Sequence, residues 1–173
     1  IGVIGLLRYK KPLRMLINFV DKYPEKFSLD CFGDGPLKDY ITSSENKNIR
    51  YHGSFNNPDD LANIYDQIDI NYVIYDNSLR NVRLAIPNKL FESAYFGVPL
   101  VCASRTYLEE KVVRWGIGKG ITLQDETSFQ KEMLNYLTRE ELSTAATNCK
   151  LLIEDELIEN ETMVLNNIIF MND

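Results

Sequence analysis

The sequence predicts an α/β fold built on a doubly wound parallel sheet of about six strands flanked by helices, and three observations predict it. Short apolar runs with β-branched content alternate with stretches of helical period, the pattern of repeated βα units. Four of the helical stretches open with a proline, which suits a first helical turn because its missing amide hydrogen has no partner there anyway. The chain has 173 residues, 45% of them hydrophobic, enough for one sizeable core but hardly two, so a single domain over residues 1–173 is expected.

The elements follow in order. A strand is expected over 2–7, then a turn, Gly5-Leu6-Leu7-Arg8-Tyr9-Lys10-Lys11-Pro12, and a helix over 12–22. The second strand, 28–32, reaches the helix at 36–42 through Gly33-Asp34-Gly35-Pro36, a tight connection of flexible backbone. Strand 49–53 precedes helix 58–67, and strand 70–75 runs into 76–86, the longest stretch without a clear period. Helix 87–96 is capped by Gly97 and stopped by Pro99. Strand 99–103, helix 107–114, strand 120–123 and helix 128–137 complete the alternation. The tail from 139 to 173 carries apolar residues at spacings of three and four, so one or two amphipathic helices are expected, with Glu154-Asp155-Glu156 and Glu159 as a solvated face.

Composition excludes several function classes. Lys+Arg 19 against Asp+Glu 25 gives a net charge of -6, the wrong sign for a domain that grips phosphate backbones, so no nucleic-acid partner is expected. The apolar runs fall short of the roughly 20 residues of a membrane span. Cys31, Cys102 and Cys149, at wide spacing and with His52 as the one histidine, read as buried thiols in a reducing compartment and not as a metal site. The chain opens on the strand-like Ile1-Gly2-Val3-Ile4-Gly5 with no initiator Met or leader pattern, which suggests an excised half of a longer protein. No Gly-x4-Gly-Lys-Ser/Thr phosphate cradle, Gly-x-Ser-x-Gly elbow or Asp-x-Asp pair occurs. Gly116, Gly118 and Gly120 run into a strand-like segment instead of opening a helix, which argues against a nicotinamide site.

What remains sits at strand ends, where open parallel sheets bind ligands. The first turn sets Arg8, Lys10 and Lys11 at the start of a helix whose free amides favour an anion, so a phosphate is one reading and ordinary surface cations the other. In Pro87-Asn88-Lys89-Leu90-Phe91-Glu92, Leu90, Phe91, Ala94 and Tyr95 are expected to form a buried stripe, with Glu92 in the second turn near the ligand edge. An ionised carboxylate only accepts hydrogen bonds and suits the cis-diol of a ribose; alone on a helix it reads equally as a solvated side chain. His52 has no identifiable partner for base catalysis and reads as structural. Trp115 reads as core or rim.

Taken together, the Gly5 to Lys11 turn, Phe32-Gly33-Asp34-Gly35-Pro36-Leu37, Ile49-Arg50-Tyr51-His52-Gly53-Ser54-Phe55, Asp60-Leu61-Ala62-Asn63-Ile64-Tyr65 with Ile68-Asp69-Ile70, Pro87 to Glu92 and Gly97-Val98-Pro99-Leu100-Val101 resemble the C-terminal half of GT-B glycosyltransferases. The resemblance is to the retaining group 1 enzymes of bacterial capsule, O-antigen and lipopolysaccharide synthesis. It implies a Rossmann-like domain that holds a nucleotide-sugar donor, with UDP favoured over GDP, against the protein's own N-terminal acceptor domain. The acceptor would be a lipid-linked or oligosaccharide glycan. By position, Glu92 would bind the ribose, Lys11 helped by Arg8 would neutralise the diphosphate, and amides around Asn88 and Lys89 would face its oxygens. Gly5 would open the phosphate turn, and Phe55 would lie beside the base. No cofactor and no metal ion are expected, and the site would be cytoplasmic, with the N-terminal half docking on the inner face of the cell membrane. Leu84 stands where the family often has a second Glu, and Leu6 where an Arg is usual. A sugar-nucleotide 2-epimerase of the same architecture and a non-catalytic binding or scaffold domain are the alternatives.

Overall fold

The computed structural model describes residues 1–152. Six strands, β1 (Gly2–Ile4), β2 (Leu29–Phe32), β3 (Ile49–Gly53), β4 (Asn71–Val73), β5 (Leu100–Ala103) and β6 (Gly118–Ile121), pair in parallel throughout, in the order β3-β2-β1-β4-β5-β6. This is the doubly wound Rossmann order, in which winding reverses between β1 and β4 and opens a crevice at their carboxyl ends. The expected fold class therefore holds, down to the number of strands.

Alternation along the strands assigns the two faces. Leu29, Cys31, Tyr72, Ile74, Val101 and Ala103 point to a core closed by the helices α1 (Lys10–Lys22) and α7 (Glu126–Tyr136) and by α2 (Lys38–Thr42). On the other face Val73, Leu100 and Cys102 meet α5 (Lys89–Phe96), α6 (Tyr107–Trp115) and α8 (Arg139–Leu151). Ile4 and Phe32 meet α3 (Leu61–Tyr65) on that same side. With both faces covered, the central strands can be apolar throughout, which is why they read as continuous runs and not as alternating ones. All three cysteines are buried and unpaired.

The proline expectation needs correction. Pro12 is the third residue of α1, and Pro36, Pro58 and Pro87 precede α2, α3 and α5 by two or three residues. At a third position the amide still has no partner within the helix, so Pro12 costs no bond. The carbonyls of Pro58 and Pro87 instead accept from the amides of Leu61 and Leu90, closing the turn that leads into each helix. A short helix, α4 (Arg80–Leu84), occupies the stretch that showed no period, since five residues with Val82 alone buried are too few to display one. The sixth strand begins two residues earlier than expected: Gly118 pairs with Leu100, and a Cβ on Gly118 would run into the Leu100 carbonyl. The glycines there permit close strand approach.

The amphipathic tail is seen as α8 as far as Leu151; the acidic face and the further apolar residues expected beyond Leu152 lie outside the described residues. Among the described residues no helix is long and apolar enough to cross a membrane.

Candidate functional site

The loops at the carboxyl edge are laced together by backbone bonds. Gly5 N–H donates to Phe32 O at 2.8 Å, Leu7 N–H to Asp34 O at 2.9 Å, and Gly33 N–H to Gly53 O at 2.7 Å. Gly33 has a φ of +134°, and a Cβ on it would collide with the Gly5 carbonyl, so glycine is what lets the first and second turns touch. Above the β1/β4 crevice lies a cleft of about 330 Å³ whose walls include Ile4, Leu6, Arg8, Tyr75, Val82 and Pro87. Arg8 is held there by its Nη2, which donates to Tyr9 Oη at 2.8 Å, and the Tyr9 ring lies against Tyr75 with centroids 5.1 Å apart.

Glu92 stands beside this cleft on α5, its side chain 13% exposed. Lys89 Nζ donates to Glu92 Oε2 at 2.6 Å, and Tyr65 Oη donates to the same oxygen at 3.0 Å. The Lys89 stem passes the first turn, with Cε 3.8 Å from where a Gly5 Cβ would stand. Beneath them Asn71 Nδ2 donates to Tyr65 Oη at 3.0 Å and to Ser93 Oγ at 2.9 Å. Burial, followed by the neighbouring Glu92 charge, pushes the Tyr65 phenol far above its ordinary ionisation range, so it remains a donor. Asn88 precedes α5 without a side-chain cap bond, and the Leu90 amide of that first turn donates to Pro87 O at 3.0 Å.

The structure thus brings Gly5, Lys89 and Glu92 together beside the cleft that Arg8 lines. Asn88 is exposed at the head of α5. Lys11 is exposed on the first turn of α1, outside the lining of the cleft. Phe55 packs half-buried against the Ile4, Phe32 and Leu61 cluster. Leu6 and Leu84 are 61% and 64% exposed, so neither departure from the family pattern is a core residue. Among the described residues no three His, Cys, Asp or Glu side chains gather as metal ligands would.

His52, for which the sequence shows no partner, has one in Asp30 of the neighbouring strand. Its Nε2 lies 2.8 Å from Asp30 Oδ1, its ring stacks on Phe32 with centroids 4.2 Å apart, and Arg50 pairs with the same carboxylate at 2.6 Å. Sequence reasoning passed over Tyr65, Asn71 and Ser93. The available signal was Asn71, a polar residue inside the apolar run Ile70-Asn71-Tyr72-Val73-Ile74, since a buried amide demands partners.

Comparison with known proteins places the chain in a family. The family model for glycosyl transferases group 1 matches residues 1–139. The succinoglycan biosynthesis protein ExoL of Rhizobium meliloti (strain 1021) is 28% identical over 102 residues, covering 56% of this chain and 25% of that protein. WaaG, a glycosyltransferase involved in lipopolysaccharide biosynthesis, superposes with a TM-score of 0.62 at 14% identity, over 86% of this chain and 41% of its own. Anabaena HepE, solved in complex with UDP and glucose, gives 0.64 at 15% identity, over 86% of this chain and 42% of its own. The chain therefore spans a quarter of its curated relative and about two-fifths of these solved chains. At such identities the structural likeness is one of fold.

Proposed function

Because this chain belongs to the glycosyl transferases group 1 family, we propose that it is the donor-binding domain of a GT-B enzyme that transfers a hexose or hexosamine from a nucleotide sugar, UDP-linked in preference to GDP-linked. The acceptor is a growing surface polysaccharide or lipid-linked glycan, bound by an N-terminal domain of the complete protein. UDP complexes of HepE and the polysaccharide and lipopolysaccharide roles of ExoL and WaaG support this reading. The observation that carries it is Glu92, a carboxylate 13% exposed on α5, bonded to Lys89, whose stem passes the first turn at Gly5.

In this reading Glu92 accepts the ribose hydroxyls, and the diphosphate lies between the first turn at Gly5 and the head of α5 at Asn88 and Lys89. Phe55 stands on the base side. As the bond from the anomeric carbon to the diphosphate breaks, its electron pair moves onto the diphosphate oxygen, and the acceptor hydroxyl oxygen forms the new bond while its proton passes to the departing diphosphate. Arg8, joined by Lys11 turning inward from α1, and the α5 amides stabilise the charge that builds on the leaving group. These contacts strengthen as the bond breaks, which is where binding energy accelerates a reaction. The cations take this role without a metal ion or a cofactor.

Kinetics of the complete protein with a UDP-sugar donor test the assignment. Arg8→Ala is expected to lower kcat about 100-fold, the scale of losing one leaving-group donor, with donor KM little changed, and Lys11→Ala to act in the same direction by less. A raised donor KM with kcat unchanged would make these residues binders only. A product in which the donor sugar is isomerised and not transferred would give the site to an epimerase.

A further inference from the structure

We infer that Tyr65 is a positioning residue for the ribose site: anchored by Asn71, its phenol fixes the Glu92 carboxylate so that one oxygen is held and the other is presented to the diol of a nucleoside diphosphate. The inference rests on the reading of Glu92 given above and adds to it a residue on a different element. Three observations carry it. First, both donors that reach Glu92, Lys89 Nζ and Tyr65 Oη, converge on Oε2, so among the described residues Oε1 is the unengaged oxygen.

Second, the phenol has little freedom. Tyr65 is 2% exposed, and its ring stacks on Phe96 with centroids 4.8 Å apart and planes 17° from parallel. Lys89 cannot set the carboxylate plane by itself, because an ammonium on a four-carbon stem is a mobile point charge without directional preference. Third, Asn71 orders the direction of donation. Its Nδ2 hydrogens go to Tyr65 Oη and Ser93 Oγ, which leaves the Tyr65 hydrogen for Glu92, while its Oδ1 is buried without a partner among the described residues. A fold that needed only packing at this point would place an apolar residue there and avoid the orphaned oxygen.

The test is calorimetric titration of the chain with UDP and with 2′,3′-dideoxy-UDP, for the wild type, Tyr65→Phe, Glu92→Gln and the double variant. Tyr65→Phe keeps the ring and its stacking. It is expected to weaken UDP about tenfold, the scale of one hydrogen bond to a charged group. It should leave the dideoxy nucleotide unchanged and cost nothing further once Glu92 is Gln. Should Tyr65→Phe fail to fold, Asn71→Leu removes the anchor, keeps the phenol and carries the same comparison. Losses that add in the double variant, or that are equal for the two nucleotides, would show Tyr65 to be a packing residue and overturn the inference while leaving the ribose site standing. A wild type that fails to bind UDP, or UDP binding that Glu92→Gln leaves untouched, would remove the ribose site itself and the inference with it.

Discussion

At Glu92 the fold engages one carboxylate oxygen and leaves the other, whereas at Asp30 it engages both. Asp30 is 5% exposed on β2, and its two oxygens are taken by Arg50 and His52 from the neighbouring strand β3. Burial alone would raise its ionisation range, but the hydrogen bonds from Arg50 and His52 and their charges outweigh burial and hold the carboxyl below its ordinary value. A depressed folded value contributes stability that is present above the unfolded value, near pH 4, and is lost as pH falls through the folded one. The melting-temperature gap between wild type and Asp30→Asn should therefore be widest near neutrality and close as the pH falls through and below the unfolded value near about 4. A gap independent of pH would show that the carboxylate's charge contributes nothing.

The elements differ in how openly the chain announces them. Three helices carry their own start signals: Thr106 Oγ1 accepts from Glu109 N–H at 3.1 Å, Asp125 Oδ1 from Ser128 N–H at 2.9 Å, and Thr138 Oγ1 from Glu141 N–H at 3.3 Å. Thr106→Ala should accordingly cost about 1 kcal/mol in urea unfolding, the usual worth of an N-cap, and a cost near zero would mean that α6 is held by packing alone. The βα alternation, the Gly97 cap at φ 72° and the placement of Glu92 on α5 were legible for the same reason: each is a local pattern over a few residues. α4 was not, because a five-residue helix has no period to read. Nor was the network under Glu92, whose partners Tyr65, Asn71 and Ser93 come from three elements and meet only after the sheet reverses direction between β1 and β4. The sequence also groups Lys11 with Arg8; both side chains are exposed, Arg8 lining the cleft and Lys11 standing on the first turn of α1.

Across the whole molecule, parallel pairing sends every strand's carboxyl end to one edge, so residues from the third and fifth helices and the first turn converge. A net charge of -6 gives the chain no general attraction for a diphosphate, so binding must come from the local cations and helix amides at that edge. The most direct test of this account is a thermal-unfolding panel of UDP, GDP and ADP against the wild type and Glu92→Ala. A nucleotide at about 100 times its Kd adds about 2.7 kcal/mol, which is a rise of several degrees for a domain of this size. Donor binding through Glu92 should give that rise with UDP, a smaller one with GDP or ADP, and none with UDP in Glu92→Ala. No rise with any nucleotide, or a rise that Glu92→Ala retains, would contradict it.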